Sequence, residues 1–89
     1  MVKYKILYSK LALKDAKKLS SATLAILAKE LIEIIRKNPF QNPPPYEKLV
    51  GNLNGSYSRR INIKHRIVYE VREDDKVVRI SRMWLHYGE

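Results

Sequence analysis

The sequence contains no cysteine, so neither a disulfide nor a thiolate metal site can help hold this 89-residue chain together. It has no apolar run near the ~18 residues of a membrane helix, and its opening MVKYKILYSK is too short in apolar residues for a signal peptide. A soluble, cytoplasmic protein is expected. Acidic residues are also scarce: nine Asp and Glu face eighteen Lys and Arg, for a net charge of +9. Such a surface expects a polyanion, with nucleic acid as the first candidate. Several catalytic signatures are missing too. There is no glycine-rich phosphate loop, no HExxH, no Cys-based zinc spacing and no strained nucleophile elbow around a serine. The two histidines, His65 and His86, are not spaced as metal ligands, and no metal or cofactor is expected.

What is present reads as one domain over residues 1–89. A chain this short buries little more than ~60% of its unfolded surface, so it can form only one core. Residues 3–8 (KYKILY) read as a strand, and Ser9 stands where an N-cap would before KLALKDAKKL, whose Ala12, Ala16 and Leu19 share a helical face. A second helix is expected from Ala22 to Lys37, capped by Ser20 or Ser21. Its apolar stripe is Leu24, Leu27, Leu31, Ile34 and Ile35, widened by Ala25, Ala28 and Ile32. Asn38-Pro39 ends it.

Periodicity then vanishes. The segment NPFQNPPPYEKLVGNLNG holds all four prolines and two of the three glycines, and reads as a long ordered loop, stiff and polyproline-like at Pro43–Pro45. Three strands follow: 56–63, 65–72 and 76–86, with Asp74-Asp75 as a turn. The expected class is α+β, in the order β-α-α-β-β-β, with two N-terminal helices on one face of a mostly antiparallel sheet. Alternation puts Tyr57, Arg59, Ile61 and Ile63 on one side and Ser58, Arg60 and Asn62 on the other. Arg60 and Arg66 are left on the open face. The last strand has two partly apolar faces, so a bulge is expected there.

The chemistry-bearing residues are few: a glutamate in the ordered loop, arginines on strands, and a histidine beside an aromatic near the end. These are parts for metal-free RNA cleavage. RNA supplies its own 2′-OH nucleophile, so the protein needs a base, a cation for the extra charge on phosphorus, and an acid for the leaving oxygen. Taken singly, each part has a plainer explanation. Glu47 could salt-bridge within its loop, Arg59, Arg60 and Arg66 could be solvated strand residues, and His86 and Tyr87 could edge the core.

The layout of KLVGNLNGSYSRRINIKHRIVYEV followed by LHYGE resembles the Txe/YoeB branch of the RelE-like toxins, bacterial toxin–antitoxin endonucleases that cut mRNA on the ribosome. The resemblance spans essentially the whole chain and implies a RelE-like, microbial-RNase-like fold. Carried over residue by residue, it implies Glu47 as general base, Arg66 as transition-state stabiliser, His86 as general acid and Tyr87 as its neighbour at the substrate. Arg60 matches a phosphate-binding position. Arg59 and Lys48 are further candidates for RNA contact. The family commonly carries a lysine three residues after the glutamate, where this chain has Val50. The implied partners are a cognate acidic antitoxin of the YefM/Axe kind, the ribosome and its mRNA; no membrane is implied, and a homodimer is left open. Two alternatives remain: a non-catalytic RNA-binding or regulatory module, and a gyrase-targeting toxin on the same fold, which lacks the Glu/His set.

Overall fold

The computed structural model describes residues 3–21, 23–50 and 55–86, and for Leu85 and His86 the backbone alone. Strand β1 (Lys5–Tyr8) leads into helix α1 (Lys10–Ser21), then helix α2 (Ala25–Lys37). A two-residue strand β2 (Glu47–Lys48) lies inside the proline-rich loop. It is followed by β3 (Ser56–Arg60), β4 (His65–Arg72) and β5 (Val77–His86). The sheet order is β1-β5-β4-β3-β2, antiparallel except where β1 runs parallel to β5. The expected α+β order therefore holds, with β2 added at the edge. Two residues are too few to leave an alternation signal.

Local chemistry sets the boundaries. The Ser9 hydroxyl accepts the Ala12 amide at 3.0 Å, the N-cap expected for α1. The helix runs through Ser20 and Ser21 and ends in a Schellman motif. Leu24 N–H donates to the Leu19 carbonyl (2.9 Å) and Thr23 N–H to Ser20 (3.3 Å), with Thr23 at φ 60°. This moves the start of α2 from the expected Ala22 to Ala25, and no serine caps it. On α2 the buried residues are Ala28, Ile32 and Ile35, with Leu24 and Leu31 packed beside them, whereas Leu27 is exposed. The buried stripe is thus turned by one helical position from the expected one. Asn38, in extended backbone before Pro39, closes the helix by donating its amide to Ile34.

Ala12, Leu19, Ala28, Ile32 and Ile35 from the helices meet Ile67, Tyr69, Val78, Ile80 and Met83 from the sheet in one core. β3 is shorter than expected because Asn62 takes over the turn. Its side-chain oxygen accepts the Lys64 and His65 amides at 2.9 and 2.8 Å, leaving Ile63 exposed. Pro43–Pro45 does not form a polyproline helix: the chain bends at Pro43 and Pro44, and the Asn42–Pro43 and Pro43–Pro44 bonds are cis.

The bulge expected in the last strand is present twice. Pairing passes from Arg66↔Leu85 to Val68↔Arg82 to Tyr69↔Ile80, so β5 inserts one extra residue at each step. Asp15 of α1, 2% exposed, serves this irregular stretch. One of its oxygens accepts Arg82 Nε at 2.8 Å and the Met83 and Trp84 amides at 3.0 and 3.3 Å. Burial opposes its charge, but the Arg82 guanidinium and those two amides prevail and hold the carboxyl below its usual range. No helix among the described residues is long and apolar enough to cross a membrane.

Candidate functional site

Glu47 sits opposite Ser58, Arg60 opposite Arg66, and Ser58 opposite Val68. With a side-chain period of two, Glu47, Ser58, Arg60 and Arg66 share the sheet face away from the core. They border a cleft of about 250 Å³ whose remaining wall is loop segment 44–46. Arg66 is buried, and a buried guanidinium needs a counter-charge and filled donors. Its Nη1 donates both to Glu47 Oε1 and to the Ser58 hydroxyl, the latter at 3.2 Å. Ser58 is the member of the site that sequence reasoning left out. Its alternation with Arg60 was the available signal.

The two ends of the Glu47–Arg66 pair differ in access. The Arg66 side chain is 6% exposed and that of Glu47 is 56% exposed. The carboxylate therefore keeps lone pairs open to the cleft. Arg60, exposed on the cleft rim, lies directly across the strands from Arg66. Like charges in that position repel, and an anion between them would relieve the repulsion. The face thus has a base-capable oxygen, a hydroxyl and two guanidiniums gathered around a space fit for a phosphate.

The backbone of His86 pairs with His65, next to the Arg66↔Leu85 pair, so β5 carries His86 to the strand end adjoining Arg66. Tyr87 lies outside the described residues. Trp84 packs against the core, and its ring stacks on His65 with centroids 4.0 Å apart. A packing role thus accounts for the tryptophan near the chain end.

Two expected RNA contacts fall elsewhere. Lys48 sits opposite Tyr57, which places it on the other face of β2 from the cleft. Val50, where the resemblance implied a lysine, is exposed and uncharged. Arg59 is the clearer correction: it is 1% exposed, with no surface to offer RNA. Its Nε donates to the Tyr69 hydroxyl at 3.1 Å. Its terminal nitrogens donate to the Pro44, Pro39 and Gln41 carbonyls at 2.7, 3.0 and 2.9 Å. The guanidinium also lies 5.1 Å from the centre of the Tyr46 ring. Alternation had set it beside Tyr57 on the inner face. Its charge argued for the surface, and the loop carbonyls decide the matter because they replace the water it gives up. Burial raises the Tyr69 pKa despite Arg59, keeping its hydroxyl protonated to donate to Pro39 at 2.8 Å.

Residues 8–87 match the family of YoeB-like toxins of bacterial type II toxin–antitoxin systems. This chain belongs to that family. The YoeB toxin of Escherichia coli K12 is 41% identical over 58 residues, covering 65% of this chain and 67% of that one. The YoeB toxin of Synechocystis is 40% identical over 57 residues, covering 64% of each. Among solved structures, the YoeB dimer of Staphylococcus aureus superposes with a TM-score of 0.81 at 34% identity, over 97% of this chain and all of that one. The YoeB–YefM complex from the same organism gives 0.79 at 32% identity, over 97% and 100%. The YoeB/ParE toxin of Agrobacterium tumefaciens gives 0.84 at 26% identity, over 93% and 99%. The fold expected of a YoeB-like toxin is the one observed.

Proposed function

We propose that this YoeB-family toxin is a ribosome-dependent mRNA endonuclease in which Glu47, Arg66 and His86 divide the work. The observation that carries the reading is the Glu47–Arg66 pair, with a buried cation and an open carboxylate oxygen in one cleft. Glu47 takes the proton from the 2′-OH, and the freed oxygen attacks the adjacent phosphorus. Arg66, with Arg60 at the rim, donates charged hydrogen bonds to the phosphoryl oxygens as charge builds. His86 protonates the departing 5′-oxygen, and Tyr87 helps place the substrate. The products are a 2′,3′-cyclic phosphate and a 5′-hydroxyl, with no divalent metal acting on the reacting groups.

The ribosome enters through geometry. The cleft is small and open, and it offers one carboxylate and two arginines rather than a deep substrate pocket. Alignment of the 2′-OH with the phosphate is therefore limiting, and an external scaffold that fixes it can supply on the order of 7 kcal/mol. The ribosome is a polyanion that attracts a +9 domain. By the same charge argument, an acidic antitoxin segment is the partner that holds the toxin inactive in the cytoplasm. The YefM complex and the dimer of the S. aureus relative support an antitoxin and a second copy as partners here.

The test compares cleavage of one message, free and in a programmed ribosome, by the parent and by His86→Gln. Cleavage should be much faster on the ribosome, and His86→Gln should lose about 10²–10⁴-fold of it. Equal rates on free and ribosomal message would leave a general ribonuclease instead.

A further inference from the structure

Glu47 stands on a two-residue strand at the end of a long loop, which is little backbone support for a group that must meet a 2′-OH within hydrogen-bond reach. What holds the loop is Arg59. Its guanidinium reaches three loop carbonyls, at Pro39, Gln41 and Pro44, and lies beside the ring of Tyr46, the residue before Glu47. Tyr69 closes the far side by accepting from Arg59 and donating to Pro39. Phe40, Tyr46 and Tyr57 pack around this arrangement with ring centroids 5.2–6.1 Å apart, Tyr57 edge-on to the other two. The clamp lies on the core face of β3, while Glu47 and Arg66 lie on the opposite face, so the loop turns around the sheet edge between them.

We infer that Arg59 is a positioning residue: it fixes the loop from the core side so that Glu47 stays in register with Ser58 and within reach of Arg66. The inference rests on Glu47 being the base. A fork of five donors suits this task, because it can serve three carbonyls in different directions and the tyrosine hydroxyl at once. A lysine keeps the charge but has three donors on one nitrogen and cannot span the same set.

The deciding variants are Arg59→Lys and Tyr69→Phe, measured by single-turnover cleavage on programmed ribosomes, each alone and combined with Glu47→Gln. Arg59→Lys should lower the maximal rate by about 10–100-fold with half-saturation by ribosomes unchanged, and Tyr69→Phe by a few-fold. Neither should lower the rate further in the Glu47→Gln background, because the group they position is already disabled. The Leu49 amide, bonded to the Ser56 carbonyl at 2.9 Å beyond β2, should exchange with solvent faster in Arg59→Lys.

Parent-like activity in Arg59→Lys would overturn the inference, since charge alone would then suffice. So would a loss expressed as weaker ribosome binding, or one that multiplies with the loss from Glu47→Gln. Should Arg59→Lys not fold, Tyr69→Phe decides by the same additivity criterion. If Glu47→Gln cleaves like the parent, the catalytic reading fails by itself. The clamp then stands or falls on the Leu49 exchange rate, and unchanged exchange in Arg59→Lys would sink it.

Discussion

Among the described residues, two ion pairs join distant parts of the chain, and they are inverted with respect to one another. In Asp15–Arg82 the carboxylate is 3% exposed and the arginine 33%; in Glu47–Arg66 the carboxylate is 56% exposed and the arginine 6%. The buried Asp15 has its charge consumed by Arg82 and two backbone amides, which suits it to hold the irregular end of β5. In the second pair it is Arg66 that is held, by Glu47 and Ser58, while Glu47 retains open lone pairs. A carboxylate saturated with donors cannot accept a proton from a substrate; one facing a cleft can. A carboxylate–arginine pair therefore serves architecture where the acid is buried and, on the proposed reading, chemistry where the acid is exposed.

The largest expected effect breaks the second pair. Glu47→Gln keeps the shape and removes the proton acceptor, so ribosomal cleavage should fall by about 10²–10⁴-fold. Glutamine keeps an acceptor oxygen for the buried Arg66 guanidinium, so the variant should melt only a few degrees below the parent. An inactive variant that also melts far below the parent would make Glu47 a structural residue and erase the contrast with Asp15.

Asp15 should show the opposite profile. Asp15→Ala strands two amides and a guanidinium and should destabilise by about 2–3 kcal/mol, read as the shift in a urea midpoint. Since its folded pKa lies below the unfolded one, the contribution is complete above the ordinary aspartate value of ~3.9 and is lost as pH falls through the folded value. The stability gap between the parent and Asp15→Asn should thus be constant near neutrality and close in acid. A gap that widens on acidification would reverse the assigned sign.

The smallest effect belongs to Lys48, on the far side of β2 from the cleft. Lys48→Ala should change cleavage on ribosomes by less than about threefold, the scale of a solvent-exposed charge. A loss as large as that of Glu47→Gln would mean that RNA reaches around the sheet edge.

Much of this was legible in the sequence, and the misses share a cause. Helix and strand order followed from apolar spacing, and alternation along 56–60 and 65–72 assigned Arg60 and Arg66 to one face, as found. Asp15 was missed because a carboxylate between Ala12 and Leu19 reads as a solvent charge until its partner, 67 residues later, is known. Arg59 was misjudged for the same reason in reverse: the carbonyls that accept its donors lie in a loop without periodicity. The register of β5 depends on two bulges stabilised from another element, which no local pattern encodes. Sequence reads periodic burial well; it reads buried polar groups poorly, because their satisfaction is non-local.

In the proposed mechanism the open oxygen of Glu47 removes the proton from a 2′-OH beside the phosphate that Arg66 holds. The most direct test places a single 2′-deoxy nucleotide at the cleavage site of a message on programmed ribosomes and follows single-turnover cleavage. The account predicts that the ribo message yields a 2′,3′-cyclic phosphate and a 5′-hydroxyl, and that the deoxy message stays intact at that position. Cleavage of the deoxy message at the ribo rate would contradict it, because the nucleophile would then come from somewhere other than the RNA.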